Sequence, residues 1–579
     1  MPAATRLAAT AALLAWALVT SFLRVGAAPV YIQNEAREGV YARAMLDSGN
    51  FVLPSVPYHV ENGEFIPDKP PLTHWLSAGV TVLRVWATDG HLPEGPALAA
   101  RYDDWSLRFP SALFAVVTVA AIALLGRHLV GDRAALLAGA TLLACWQFVH
   151  QARFGRVDMA LCGCVTLTML LAGRALLDGT AGALLLAAAV AGLAVLAKGP
   201  LGVALPLAAC GIFVLWESVR ERSVERWRSL PWGRAAVVWA LVALPWYCAA
   251  FGVGGMAVVR SQLLNESVDQ FTGANAQMWV FYYVLPWLQD TAPWNLLGVL
   301  GAWYAWRTRF TGAGFCAVWW VCFLAVFQIA AYKRQAYLLP AVPACALLAG
   351  YGMDRWLAAR KESVRGAIAA AVPTWWLGAL GGGMAAAVAG AVVGYSGGAK
   401  RWLGTDLSPI DGALGGAGIV LGAVAVVALG RALFRRQPAA AVVAVWVAQV
   451  LIYLGPVATG EVLVAQQHSP VPLVRHLVAD LPPDQTVTVV GLRDDTSLLI
   501  ILYFPTLARI AVVPRRTGIP ATTPAGFYLL SDAAWADVSA AAPGQPRDAG
   551  RDGGWRLLWA DSLRPRGTSL PVVLAERLG

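Results

Sequence analysis

The sequence predicts an α-helical polytopic membrane protein of about thirteen transmembrane helices, followed by a small extracytoplasmic α/β domain. Three observations carry this prediction. The chain is 58% hydrophobic and 13% charged, whereas soluble proteins carry about 25% charged residues. Apolar runs long enough to span a bilayer recur along most of its 579 residues. The C-terminal stretch differs in composition, with Pro-rich turns and short β-branched runs.

About 20 apolar helical residues cross the hydrocarbon layer, and this length defines the predicted spans. We expect spans near residues 7–29, 109–126, 134–152, 159–177, 181–197, 200–217, 235–252, 290–306, 312–331, 337–353, 367–395, 412–430 and 439–457. Lys and Arg concentrate in alternate short loops, which by the positive-inside rule face the cytoplasm. The sequence therefore predicts a bacterial inner (plasma) membrane protein with a cytoplasmic N-terminus and a periplasmic C-terminal domain.

Two domains are expected. A membrane domain covers residues 1–458 and includes a long, polar outer loop at 30–108, and a soluble α/β domain covers residues 459–579. Within the loop, residues 34–48 have helical periodicity and predict a short helix on the membrane surface. Within the tail, the runs 486–491 and 510–513 predict strands.

The net charge of +10 does not indicate a nucleic-acid partner, because the basic residues lie between apolar runs and form no continuous patch. It fits cytoplasmic loops and contact with anionic membrane lipids. All eight cysteines lie inside apolar runs, so no disulfide framework is indicated.

Polar residues, most of them ionisable, gather in four segments that the topology places on the outer face. They are Asn34, Glu35, Arg37, Asp68 and Lys69 in the long loop, Arg156 and Asp158, then Lys198, and finally Lys333 and Arg334. Carboxylates that accept a proton, beside cations that bind an anion, suit transfer from a phosphate-bearing lipid donor. A transporter or flippase of a lipid-linked sugar stays open as the alternative, although it favours charges near the midplane.

Several short motifs resemble those of polytopic GT-C glycosyltransferases that use polyprenyl-phosphate sugars. The similarity is to the lipid A aminoarabinose transferase and to protein O-mannosyltransferase-like relatives. The motifs are Asn34-Glu35-Ala36-Arg37, Asp68-Lys69-Pro70-Pro71-Leu72, Arg156-Val157-Asp158-Met159-Ala160, Leu196-Ala197-Lys198-Gly199-Pro200, Asn265-Glu266 before Phe271, and Lys333-Arg334 leading to Tyr337-Leu338-Leu339-Pro340. Their order and rough spacing hold from about residue 30 to 350.

The resemblance implies a glycosyltransferase of the GT-C fold. It would move a sugar from a polyprenyl-phosphate donor to a lipid A, glycan or protein acceptor at the periplasmic face, with inversion. The implied donor-phosphate ligands are Arg37, Lys69, Lys198, Lys333 and Arg334, and the implied catalytic carboxylates are Glu35 and Asp158. Further site candidates are Asn34, Asp68, Arg156, Glu266 and Tyr337.

The chain departs from the family pattern at several places. Relatives usually carry Asp where this chain has Asn34, and an amide cannot act as a general base. Ser267 and Gln270 replace the His and Arg expected near Glu266. No cofactor is assigned; a divalent cation stays open, with Asp68 and Glu266 as candidate ligands. These departures also keep open a non-catalytic, degenerate relative.

Overall fold

A computed structural model gives the fold of the chain. It describes residues 1–54, 56, 59–60, 63–64, 68–262, 279, 281–361, 409–435, 438–453, 458–482, 485–492, 494–513, 525–531, 534, 555–563 and 570–577. These residues form two compact units. The first comprises residues 1–25, 68–72 and 110–460, and the second comprises 26–67, 73–109 and 461–579.

The first unit is helical in its described residues. Its helices are α1 (Ala3–Phe22), the main part of α5 (Asp104–Leu125), α6 (Arg127–Val130), α7 (Asp132–Leu143), α8 (Trp146–Ala152), α9 (Val157–Asp178), α10 (Ala181–Lys198), α11 (Leu201–Glu221), α12 (Glu225–Arg228), α13 (Trp232–Val258), α14 (Val284–Thr291), α15 (Trp294–Thr308), α16 (Thr311–Ile329), α17 (Val342–Lys361), α18 (Pro409–Phe434) and α19 (Pro438–Ile452). A 3₁₀ segment, Gln335–Ala341, precedes α17.

Eight helices in the described part of the chain are long and apolar enough to cross a membrane. They are Ala3–Phe22, Asp104–Val130, Val157–Asp178, Ala181–Lys198, Leu201–Glu221, Trp232–Gln262, Thr311–Ile329 and Gln335–Ala358. The polytopic helical fold is thereby confirmed. The count of about thirteen stays a prediction, since the expected span at 367–395 lies outside the described residues.

The expectation of one continuous span at 134–152 is wrong. Helix α7 ends at Leu143 and α8 begins at Trp146, with Cys145 in an extended conformation between them. The break directs the side-chain amide of Gln147 to the backbone carbonyl of Gln335, at 2.9 Å. A polar side chain inside a membrane domain is tolerated when it meets such a backbone partner.

The second unit joins the outer loop to the C-terminal tail. Its elements are α2 (Gln33–Ser48), β1 (His59–Val60), β2 (Gly63–Glu64), α3 (Leu72–Asp89), α4 (Pro96–Ala99), α20 (Ala458–His468), α21 (Val471–Asp480), β3 (Val487–Val490), α22 (Asp494–Tyr503), β4 (Ile510–Val513), β5 (Gly526–Ser531), β6 (Trp555–Leu563) and β7 (Leu570–Arg577). The predicted division at residue 458 assigned the loop to the membrane domain, whereas 26–67 and 73–109 belong here to the same unit as 461–579.

The tail forms a five-stranded mixed sheet in the order β4-β3-β5-β7-β6. Strand β3 pairs in parallel with β4 and β5, and β7 pairs antiparallel with β5 and β6. Helix α22 is the crossover between the parallel strands β3 and β4, as parallel pairing requires. The small α/β domain and its strands near 486–491 and 510–513 are confirmed.

Helix α2 is present as predicted, but it is buried within its unit instead of lying on a surface. Glu35, Glu38 and Arg43, which the periodicity assigned to a polar outer side, are at most 5% exposed. Each has a polar partner; the Arg43 guanidinium, for example, donates to the carbonyl oxygens of Leu502 at 2.8 Å and Pro505 at 2.5 Å. Charged side chains can be buried when they are paired. A hydropathy pattern does not show which charges are paired.

Candidate functional site

The α9–α10 hairpin brings Asp158 and Lys198 together. Asp158 lies in the first turn of α9, and Lys198 is the last residue of α10. The two helices pack side by side and are joined by residues 179–180, so the start of one lies beside the end of the other. A carboxylate in a first turn and an ammonium in a last turn both complement the helix dipole. Gly199, at φ 74°, ends α10 immediately after the lysine.

The Asp158 carboxylate is held by two cations. Lys198 Nζ donates to Oδ1, and Arg156 Nη2 lies 3.2 Å from Oδ2. The side chains are 4%, 10% and 19% exposed for Asp158, Lys198 and Arg156. Because each oxygen has a cationic partner, the carboxylate fixes two positive charges in place. The predicted catalytic role of Asp158 stays a prediction.

Tyr337 completes one wall of this cluster. Its ring centre lies 4.4 Å from Lys198 Nζ, within the range of a cation–π contact. The residue belongs to the 3₁₀ segment that precedes α17. The ammonium of Lys198 is therefore positioned by a carboxylate and by an aromatic face.

Lys69 and Arg334 bring the number of cations to four. Lys69 Nζ lies 3.9 Å from Asp68 Oδ2, and Lys69 interacts electrostatically with the Asp158 carboxylate. The Arg334 charge is close enough to repel the Lys198 ammonium. These four cations outnumber the two carboxylates, and the excess of positive charge suits an anion. The structure brings together seven predicted residues: Asp68, Lys69, Arg156, Asp158, Lys198, Arg334 and Tyr337.

The Lys333 ammonium is buried and bonds to the backbone of its own turn. Its side chain is 3% exposed, and Nζ donates to the backbone carbonyl of Ala330 at 2.5 Å. The next residue, Arg334, donates from Nε to the Tyr332 hydroxyl oxygen at 2.8 Å. Lys333 therefore holds the turn that presents Arg334, and its predicted contact with phosphate stays a prediction.

The predicted residues Asn34, Glu35 and Arg37 lie in the first two turns of α2, in the second unit. Glu35 is fully buried and accepts hydrogen bonds from Arg108 Nε at 2.6 Å and Nη2 at 3.1 Å. Arg108 also donates from Nη1 to the Ala28 carbonyl at 2.5 Å. The sequence motifs do not include Arg108. Its position directly before a predicted span was the available signal, because a charge at a helix mouth needs a partner.

Two further buried polar contacts belong to the same unit. His74 Nε2 lies 2.6 Å from Glu38 Oε2. The Tyr503 hydroxyl donates to the Asp104 carboxylate at 2.9 Å and accepts from the Val30 N–H at 2.5 Å. Burial raises the pKa of Tyr503, and the adjacent Asp104 charge acts in the same direction. The hydroxyl is therefore a neutral donor near physiological pH.

The described residues contain no group of three or more His, Cys, Asp or Glu side chains that could hold a metal ion. Of the two candidate ligands, Asp68 lies beside the Lys69 ammonium. Glu266 and its neighbours Asn265, Ser267 and Gln270 lie outside the described residues. A metal requirement is therefore untested.

The sequence profile of the dolichyl-phosphate-mannose-protein mannosyltransferase family matches residues 95–248. A relative from Pseudomonas fluorescens, undecaprenyl phosphate-alpha-4-amino-4-deoxy-L-arabinose arabinosyl transferase 2, is 29% identical over 348 residues. That match covers 58% of this chain and 58% of the relative. An Aquifex aeolicus protein without an assigned function is 25% identical over 57% of this chain and 61% of its own length. The matched regions thus cover less than two thirds of the length of either relative.

Among solved structures, the fold matches ArnT from Cupriavidus metallidurans bound to undecaprenyl phosphate. The TM-score is 0.69 at 19% identity, over 97% of each chain. The chain has the GT-C fold. The apo form of the same ArnT gives a TM-score of 0.66 at 19% identity, over 98% of this chain and 97% of that one. The fold expected from the motif resemblance is thereby confirmed, and the chain is a multi-pass membrane protein.

Proposed function

We propose that the protein is a glycosyltransferase that moves a sugar from a polyprenyl-phosphate donor to an acceptor, with inversion at the anomeric carbon. The observation that carries this proposal is the pairing of Asp158 with Lys198 and Arg156, where α9 begins and α10 ends in a GT-C fold. Lys69 and Arg334 add positive charge that interacts with this pair. A buried excess of cations suits a phosphate that gains charge as it leaves.

In the proposed reaction, an acceptor oxygen forms a bond to the anomeric carbon as the bond from that carbon to the phosphate oxygen breaks. Both electrons of the broken bond stay with polyprenyl phosphate, which leaves with added negative charge. Lys69, Lys198 and Arg334 stabilise that charge through charge-assisted hydrogen bonds. Asp158 acts by holding Lys198 and Arg156 in position.

The acceptor proton passes to a carboxylate. The candidates are Asp158, which the family resemblance places at the acceptor, and Glu35. The two oxygens of Glu35 accept from Arg108, so proton uptake there requires one of these hydrogen bonds to open. In the same helix segment, Arg37 stays a proposed donor-phosphate ligand and Asn34 a further site candidate.

The first donor to test is an undecaprenyl-phosphate-linked sugar. The Pseudomonas fluorescens relative is named for undecaprenyl phosphate-linked aminoarabinose, and the fold matches an ArnT bound to undecaprenyl phosphate. A lipid A, glycan or protein hydroxyl is the proposed acceptor. We further propose that the N-terminus is cytoplasmic and that the tail and the reaction are periplasmic, as the positive-inside rule indicates.

The test uses the full chain in lipid nanodiscs with a panel of polyprenyl-phosphate sugars, and it measures release of free polyprenyl phosphate. Release by the wild type should fall about tenfold to a hundredfold in Lys69→Ala, because a charged hydrogen bond contributes about 1.5–3 kcal/mol. Arg133→Ala is the matched control, since Arg133 pairs with Asp354 at 3.3 Å and is 45% exposed. It should leave release unchanged.

Absence of release with every donor, despite measurable donor binding, would overturn the proposal. The remaining interpretations would then be a lipid-linked sugar transporter or a binding protein without catalytic activity. If Lys69→Ala and the wild type release polyprenyl phosphate equally, the proposed role of the cluster in binding the phosphate is wrong.

A further inference from the structure

The turn that carries Lys333 and Arg334 is irregular backbone between two membrane-spanning helices. Helix α16 ends at Ile329, and the 3₁₀ segment begins at Gln335. Backbone N–H and C=O groups that leave a helix and become buried need other hydrogen-bond partners. The intervening residues must therefore be held by side chains from neighbouring elements.

Two such side chains hold the main chain. The Tyr283 hydroxyl accepts from the Arg334 N–H and donates to the Arg334 C=O, both at 3.1 Å. Gln147 Nε2 donates to the Gln335 C=O at 2.9 Å. Tyr283 thus holds the backbone of Arg334, and Gln147 holds that of Gln335.

Asp290, in α14, holds the same turn through a side chain. Its carboxylate is 2% exposed, and both oxygens accept from Gln335 Nε2, at 2.7 and 2.8 Å. A carboxylate buried in a membrane domain is unfavourable unless it serves a partner or a site. No part of the proposed reaction uses Asp290, and its hydrogen bonds within the described residues go to Gln335 alone.

We propose that Asp290 is a positioning residue for the donor-phosphate site, acting through Gln335. Gln335 directly follows Arg334, one of the four cations, and lies two residues before Tyr337, whose ring contacts Lys198 Nζ at 4.4 Å. Anchoring the Gln335 side chain fixes the position of this segment. It thereby positions the Arg334 guanidinium and the Tyr337 ring. The inference rests on the proposed function and deepens it.

The test compares Asp290→Ala, Gln335→Ala and the double variant in the nanodisc release assay. Either single change should raise the donor KM about tenfold with a smaller change in kcat, because the groups that bind ground-state phosphate lose their register. The double variant should be no worse than either single one, since both changes remove the same contact. Asp290→Asn keeps one acceptor oxygen for Gln335 Nε2 and should stay within about threefold of the wild type.

Gln449→Ala is the matched control. Gln449 is a buried amide near α14 that accepts from Trp294 Nε1 at 3.2 Å and donates to the Ala292 carbonyl at 3.3 Å. Its loss should lower thermal stability as Asp290→Ala does, without raising the donor KM. Effects of Asp290→Ala and Gln335→Ala that add, or a loss of stability at unchanged KM, would overturn the proposal.

The two proposals fail separately. If the wild type releases no polyprenyl phosphate, the proposed function fails, and the same variants are then compared by their Kd for undecaprenyl phosphate. Weaker binding in both single variants, without further loss in the double variant, would support the positioning role on its own. Unchanged Kd values would end it.

Discussion

Asp158→Asn tests whether this carboxylate organises the cation cluster. The substitution preserves the size of the side chain and removes its charge. Lys198 and Arg156 then face each other without the anion that pairs with both, in a place where the three side chains are 4–19% exposed. The amide can still accept one hydrogen bond, but its NH₂ group cannot accept the second.

The magnitude follows from the burial of the pair. Removing one partner of a buried ion pair lowers the free energy of unfolding by about 3–5 kcal/mol, and the partly exposed Arg156 places this case near the lower value. A bound phosphate supplies the missing negative charge. Undecaprenyl phosphate should therefore stabilise Asp158→Asn more than the wild type, by about 1.4 kcal/mol for each tenfold gain in affinity.

The measurements are denaturant titrations in mixed micelles, with and without undecaprenyl phosphate, together with the release assay. Release should fall about a hundredfold, because the two cations lose the orientation that Asp158 imposes. Asp132→Asn is the control with the same chemical change. Asp132 pairs with Arg6 at 3.3 Å in a partly exposed position, so its loss should cost about 0–1 kcal/mol. Asp158→Asn behaving like Asp132→Asn in both assays would refute the reasoning.

Three further predictions concern the second unit. Glu35→Gln leaves Arg108 buried without its anion and should lower the free energy of unfolding by about 3–5 kcal/mol. Arg84→Ala breaks the exposed pair with Asp103 and should lower it by no more than about 1 kcal/mol. Equal losses in denaturant titrations would contradict the buried pairing of Glu35 with Arg108. Tyr503→Phe removes the hydroxyl that joins Val30 to Asp104 and should lower stability by about 1–3 kcal/mol; hydrogen exchange at the Val30 amide should rise, and unchanged exchange would argue against that bond. Burial opposes ionisation of Asp103, but hydrogen bonds from Arg84 and Ser106 outweigh it and lower the pKa of Asp103. Its stabilising contribution is present above its ordinary pKa and is lost as the pH falls through the lower folded value. The stability gap between the wild type and Asp103→Asn should therefore close as the pH falls below the ordinary Asp pKa of about 3.9; a constant gap would count against it.

Some of the site could be read from the sequence because charge in an apolar chain is rare. Lys69, Arg156, Asp158, Lys198 and Arg334 each interrupt or end an apolar stretch, and such residues are costly in lipid unless they serve a site. The structure brings all five together in the first unit. The motif resemblance predicted the GT-C fold, and the match to ArnT confirms that fold.

Other residues carried a signal that a pattern cannot resolve. Arg108 and Asp290 are single charges near the ends of apolar runs, a position equally typical of a residue anchored at the lipid surface. Only the packing shows that Arg108 pairs with Glu35 and that Asp290 binds Gln335. Both contacts join residues 45 to 73 positions apart, and sequence spacing alone does not indicate which distant charges meet.

The sequence by itself determined the solvent and the secondary structure of this protein. Its scarcity of charge requires lipid, its long apolar runs require helices, and its β-branched tail forms a sheet, because hydropathy and period are local properties. Tertiary structure decided which charges are paired and which elements share a unit. It buried the polar side of α2, assigned Lys333 to its own turn, and joined the outer loop to the tail. Those outcomes depend on long-range contacts that satisfy buried polar groups, and no local pattern contains them.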